Sequence, residues 1–161
     1  MTKFSGYCNI FFMKISSRLD YALSCVLRIA DKYNEKRIVS IKGICEREKL
    51  EFDYVEKLLI SMKRGGILES IRGRSGGYIL SFPPDKISVK DVVIAIEKDV
   101  LGLVCFRKGR KRRCIHLDDC RVRNFWFSLK EHMESFLEKH TLKELLELRK
   151  KEKNWGTWEG V

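Results

Sequence analysis

Residues 53–84 read DYVEKLLISMKRGGILESIRGRSGGYILSFPP, and the fold is decided there. Val55, Leu58, Leu59 and Met62 recur at the spacing of one helix face. The pattern predicts a helix over 53–64, with Asp53 as N-cap and Glu56 in the capping-box position. Gly65-Gly66 ends it. Two β-prone runs follow, 67–72 and 78–82, joined by Gly73-Arg74-Ser75-Gly76-Gly77. A glycine-rich link between short β runs is a hairpin. Pro83-Pro84 closes the unit.

Upstream, Leu19, Ala22, Leu23, Val26, Leu27 and Ala30 predict an amphipathic helix over 17–33, capped by Ser16 or Ser17. Ser40 caps a short helix to about residue 48, with Ile41, Ile44 and Cys45 on one face. The order helix, helix, turn, helix, hairpin is a winged helix-turn-helix. Downstream, Ser88 caps a helix over 89–97. Residues 99–120 have no clear period and carry a basic run. A long helix is predicted over 121–140, with Phe125, Trp126, Leu129, Met133, Phe136 and Leu137 as its stripe. Thr141 caps a last helix to about residue 149. The expected fold class is mainly α with a small β-hairpin. The expected division is an N-terminal extension (1–12), a winged domain (13–84), a linking helix (85–98), a cysteine loop (99–120), C-terminal helices (121–150) and a tail (151–161). Met13 looks like a second start point, which would leave residues 1–12 outside the fold.

The 161 residues carry 33 Lys and Arg against 22 Asp and Glu, a formal charge of +11. So basic a chain points to a polyanionic partner. No segment suits a membrane span, and the apolar run 10–13 is too short for a signal-peptide core. A cytoplasmic protein is expected. Nucleophile–base pairs, phosphate loops and paired carboxylates are missing from the sequence, so an enzyme is not expected.

In a helix-turn-helix the second helix enters the major groove and its N-terminal side chains reach base edges. Here Glu51, Asp53, Tyr54, Glu56 and Lys57 stand there. Glu56 can accept from cytosine N4, and Tyr54 and Lys57 can reach phosphates. Lys63 and Arg64 are expected on the DNA backbone. Arg72 and Arg74 on the wing can enter the minor groove or clamp a phosphate, and Gly76 and Gly77 let the backbone come close. The carboxylates oppose nonspecific phosphate attraction, a conflict the sequence leaves open. The partner expected is double-stranded DNA.

Of the six cysteines, Cys25 and Cys45 sit in apolar helical patterns and read as small buried hydrophobes. Cys105, Cys114 and Cys120 share one loop with His116, which suggests thiolates around a soft metal. A closed zinc site and a plain thiol sensor fit the same residues.

The stretch 13–22, the segment 54–59, the wing 70–80 and the run 87–92 resemble the Rrf2 family of bacterial repressors. The cysteine loop followed by Phe125-Trp126, and the closing 141–145, strengthen the resemblance, which runs from Met13 to about Leu148. It implies a homodimer formed through the helix at 121–140 and a roughly palindromic operator. It also implies that Glu56 reads bases, that Arg72 is a wing arginine, and that the cysteine loop holds a two-iron or four-iron iron–sulfur cluster sensing nitric oxide, redox stress or iron status. Asp53 stands where the family's cluster regulator has a serine, so its operator does not carry over. Cys105 to Cys114 spans nine positions and Cys114 to Cys120 six, a departure from the family's even spacing that leaves the cluster type open. Arg123 stands where that regulator has its histidine ligand. Asp20 matches the aspartate that the family's nitric-oxide-sensitive repressor supplies from the partner subunit, and His116 is a further candidate. The competing reading is a cluster-free regulator of the same fold, controlled by a metabolite, a partner protein, or thiol or zinc chemistry.

Overall fold

A computed structural model describes residues 16–100 and 119–151, the side chains of the last three excepted. Helix α1 (Ser17–Asp31) starts at Ser16, whose Oγ accepts from the Leu19 amide. Its buried face is Ala22, Cys25, Val26, Ile29 and Ala30. Helix α2 (Ile41–Glu48) is capped by Ser40 and ends on Lys49, which turns left-handed at φ 55°. Helix α3 (Phe52–Arg64) buries Val55, Leu58, Leu59 and Met62, the stripe legible in the sequence. Strands β1 (Leu68–Ile71) and β2 (Gly77–Leu80) pair antiparallel, Leu68 opposite Leu80. Helix α4 (Val89–Glu97) opens on a capping box between Ser88 and Asp91. Helices α5 (Arg123–Lys139) and α6 (Leu142–Lys151) complete the described chain.

The start of α3 corrects the sequence expectation. Asp53 is not its N-cap: the helix begins at Phe52, after Glu51, and no side chain caps it. The left-handed turn at Lys49 brings the chain into register with the core before Asp53 is reached, so packing sets the boundary. Asp53 instead lies in the first turn, where a carboxylate still favours the helix dipole.

The wing is pinned by a third, single-residue strand. Val39 exchanges both backbone hydrogen bonds with Tyr78, at 3.0 and 2.9 Å. A Cβ on Gly77 would stand 2.3 Å from the Val39 carbonyl oxygen, so only glycine admits this pairing. Gly76 is similarly hemmed in by the Ile71 carbonyl, at 2.5 Å. Their small size therefore has a reason inside the wing.

At the other end, Thr141 pairs with Ser88, and the Val89 amide donates to the His140 carbonyl. This seats α6 on the start of α4 and buries Leu142 completely. Helix α4 packs against α1, α3 and α5. The buried Cys25 thiol is pushed up to about 12, chiefly by burial, with Glu48 and Cys45 adding to it.

Gly77→Ala should destabilise the fold by about 1–3 kcal/mol, the usual cost of an overpacked site. Urea unfolding checks this, and a change below the measurement error would show that the Val39–Tyr78 pairing does not depend on glycine.

Candidate nucleic-acid interface

With one side of α3 in the core, the opposite side is open. Asp53, Lys57 and Arg64 are exposed there. Glu56 is half-buried on the edge that faces the wing, close enough to the buried Tyr78 to add to the upward shift of its phenol, which burial mainly causes. On the same edge Lys63 Nζ donates to Ser70 Oγ of β1 at 2.5 Å. On the other edge Tyr54 meets Tyr21 of α1 edge to face, with ring centroids 5.9 Å apart. Arg18 of α1 reaches Ser61 at 3.4 Å. The recognition helix is thus braced from both sides by side chains that leave its outer face free.

The wing tip extends this surface. Arg72 and Arg74 are both exposed, and Gly73 between them takes φ 121°, a conformation L side chains rarely adopt. Lys57, Lys63, Arg64, Arg72 and Arg74 therefore share one side of the domain with Tyr54 and Glu56. The carboxylates Glu51, Asp53 and Glu56 stand at the start of α3, Lys57 follows directly, and the other cations lie at its far end and on the wing.

The sequence reading missed several contributors. Phe52, on the first turn of α3, is 49% exposed although it is a large apolar side chain. Its spacing to Val55 and Leu59, three and seven residues on, continues the buried stripe, so no local pattern reveals its exposure. Tyr21, Arg18 and Val39 brace the site through contacts between distant segments, which no local pattern reveals.

The metal candidates are divided. Cys120 is half-buried just before α5, and its thiol is free. Asp20 is exposed in the first turn of α1. Ser16 Oγ donates to Glu97 Oε1 at 2.6 Å, which sets the start of α1 beside the end of α4, from which the cysteine segment departs. Asp99 Oδ2, at that same exit, is buried with no hydrogen-bond partner. Cys105, Cys114 and His116 lie outside the described residues. Among the described residues no three ligating side chains converge on a metal position.

The family model described as Rrf2, iron-dependent transcriptional regulator, matches residues 15–148. The chain belongs to the Rrf2 family. It is 31% identical to the HTH-type transcriptional regulator IscR of Klebsiella pneumoniae over 134 residues, covering 83% of this chain and 80% of that protein. Among solved structures it is similar to CymR, the global cysteine regulator of B. subtilis, with a TM-score of 0.67, 27% identity, and coverage of 85% of this chain and 98% of that one. It is also similar to T. potens IscR, with a TM-score of 0.63, 26% identity, and coverage of 89% and 92%. This Rrf2 chain is therefore a winged-helix transcription regulator and not an enzyme, and members of its family bind DNA. No helix among its described residues is long and apolar enough to cross a membrane.

Arg72→Ala and Arg74→Ala should each weaken DNA binding across sequences and lower the slope of log affinity against log salt by about one. Fluorescence anisotropy over a salt series checks this. An unchanged slope in both variants would remove the wing from the interface.

Proposed function

We propose that this chain is a cytoplasmic homodimeric repressor whose operator affinity is switched by an iron–sulfur cluster held on Cys105, Cys114 and Cys120. The DNA-binding half of the proposal is carried by the outer face of α3. In this reading Glu56 reads bases, Tyr54, Lys57, Lys63 and Arg64 hold phosphates, and Arg72 and Arg74 clamp the flanking groove with Gly76 and Gly77 shaping the wing. A dimer is supported by α5. Although it carries seven large apolar side chains, Phe125, Trp126, Phe127, Leu129, Met133, Phe136 and Leu137, it buries no residue fully. Phe125 and Phe136, on one side of it, remain 62% and 63% exposed. Large aromatic side chains left in water at helical spacing mark a protein interface.

The cluster half rests on the donor set. Three thiols within one segment, with His116 between the second and the third, fit a soft iron centre. Such a centre, when bound, supplies reactivity toward nitric oxide and oxidants. Asp20 of one protomer would contribute the fourth ligand to the loop of the other, with His116 as the alternative. Releasing Asp20 from that role would free the two α1 helices, and with them the recognition helices they brace through Tyr21 and Arg18, to change their separation. This is a shift between two populations that bind DNA unequally. A cluster-free regulator is the second reading, favoured by the likeness to CymR and by the lengthened basic spacing between Cys105 and Cys114.

Protein purified without oxygen should carry near-stoichiometric iron and acid-labile sulfide. Its visible spectrum should bleach with nitric oxide while DNA affinity changes in parallel. Asp20→Ala should keep the thermal unfolding of the wild type yet lose the cluster faster. Protein without iron or sulfide after reconstitution would overturn the sensor and leave the cluster-free reading.

Phe125→Asp with Phe136→Asp should give monomers by analytical ultracentrifugation, with unchanged far-ultraviolet dichroism because neither ring supports the protomer core. A double variant that stays dimeric places the interface elsewhere.

A further inference from the structure

Phe52 stands in water at the start of the recognition helix. It is 49% exposed. The helix has no need of it there: the buried stripe is Val55, Leu58, Leu59 and Met62. Glu51 and Asp53 on either side are both exposed and acidic, so the ring is an apolar spot within a charged rim. Leaving about half of so large a ring in water forgoes burial that a polar residue would not forgo. Ile71 of the wing and Phe82 after β2 are exposed as well, and Phe52 differs from them in standing on the recognition helix itself.

The helix spacing supplies the second half of the argument. Phe52 and Glu56 are four residues apart and therefore neighbours on one edge of α3. That edge faces the wing, as the closeness of Glu56 to Tyr78 and the Lys63–Ser70 hydrogen bond show. In the major groove the only apolar group a base pair offers is the 5-methyl of thymine, and Phe is among the side chains that pack on it. A carboxylate accepts from the amino group of cytosine. Four helical residues rise about 6 Å, and successive bases on a strand lie about 3.4 Å apart.

The geometry points to Phe52 as a specificity-determining residue that packs on a thymine methyl one or two base pairs from the cytosine taken by Glu56. The assignment rests on the proposal that α3 enters the major groove, and it adds the kind of base recognised beside Glu56. The half-site then contains a thymine and a cytosine within two base pairs of each other. The specificity comes from a ring and a carboxylate, neither of which attracts phosphate. This gives the acidic start of α3 a purpose: it weakens binding to every sequence alike, while the ring and Glu56 recover affinity only on the matching one.

The test begins with selection of duplexes from a random-sequence library by the full chain, as wild type, Phe52→Ala, Phe52→Leu and Glu56→Ala. Wild type should enrich a thymine at one fixed place in each half-site, within two base pairs of a cytosine. Phe52→Ala should lose the thymine and keep the cytosine, Phe52→Leu should keep both, and Glu56→Ala should lose the cytosine. The selected duplex is then remade with deoxyuridine in place of that thymine, which removes only the methyl group. Wild type should lose about fourfold in affinity for each methyl removed, and Phe52→Ala should bind both duplexes equally. Retention of the thymine by Phe52→Ala, or equal wild-type binding to the two duplexes, overturns the assignment while leaving α3 in the groove. If Phe52→Ala and Glu56→Ala both enrich the wild-type sequence unchanged, α3 does not read bases and the underlying proposal falls with it.

Discussion

Burial of one side of α3 is the constraint on which the rest of the molecule depends. Val55, Leu58, Leu59 and Met62 are almost wholly removed from water. Truncating any one of them would cost about 2–5 kcal/mol, against a total stability of about 5–15 kcal/mol for a domain of ordinary size. The helix therefore has little freedom to rotate about its axis. Every residue on its outer side inherits that fixity. Tyr54 falls toward α1, where Tyr21 meets it, and Glu56 falls toward the wing, where Tyr78 lies beneath. A surface that must meet a regular polymer in one register needs this kind of rigid backing.

The charges on that surface are sorted. Lys57, Lys63, Arg64, Arg72 and Arg74 supply attraction that any phosphate backbone would satisfy. Glu51, Asp53 and Glu56 subtract from it at the start of α3, the end that would reach base edges in the proposed reading. A chain with a formal charge of +11 can tolerate the subtraction, because the basic surplus is spread over the whole molecule. If α3 enters the groove as proposed, the effect would be to widen the gap between matching and non-matching sequences, since a local carboxylate penalises every site that does not offer it a donor. In that reading the acidic residues of a DNA-binding helix serve selection and its cations serve attraction.

Much of this was legible in the sequence because its signals were local. Ser16, Ser40, Ser88 and Thr141 all stand where the caps were expected, and the apolar stripe of α3 is buried as its spacing required. Three features escaped because their causes are not local. The start of α3 follows from the left-handed turn at Lys49, not from the nearest good capping residue. The Val39–Tyr78 pairing joins segments that no short-range pattern connects, and it alone explains why Gly77 has no side chain. The period of α5 alone does not tell a core stripe from an interface, and only the family resemblance points to a dimer helix there. In the protomer the stripe divides, with Trp126, Leu129, Met133 and Leu137 half-buried and Phe125 and Phe136 left outside. A sequence period shows that a face is apolar but not whether its cover comes from the same chain.

The placement of the thiols separates structure from chemistry in the same way. Cys25 sits in the core, and burial holds its proton to about 12, so it is a packing residue with almost no thiolate at neutral pH. Cys120 is half-buried at the threshold of α5, outside that core. Between Cys120 and the recognition helix stands α4. Its Ala95 lies so close to Gly65, at the end of α3, that a Cβ on that glycine would fall 2.6 Å away. Its Lys90 is bonded to Glu138 of α5 at 3.1 Å, an interaction that raises the pKa of the ammonium. Its last turn is joined to the start of α1 through Glu97 and Ser16. A close-packed helix with rigid contacts on three sides transmits displacement poorly by bending and well by moving as a unit. A shift of the end of α4 would therefore be felt both at α3, through Ala95 and Gly65, and at the start of α1, through Glu97 and Ser16.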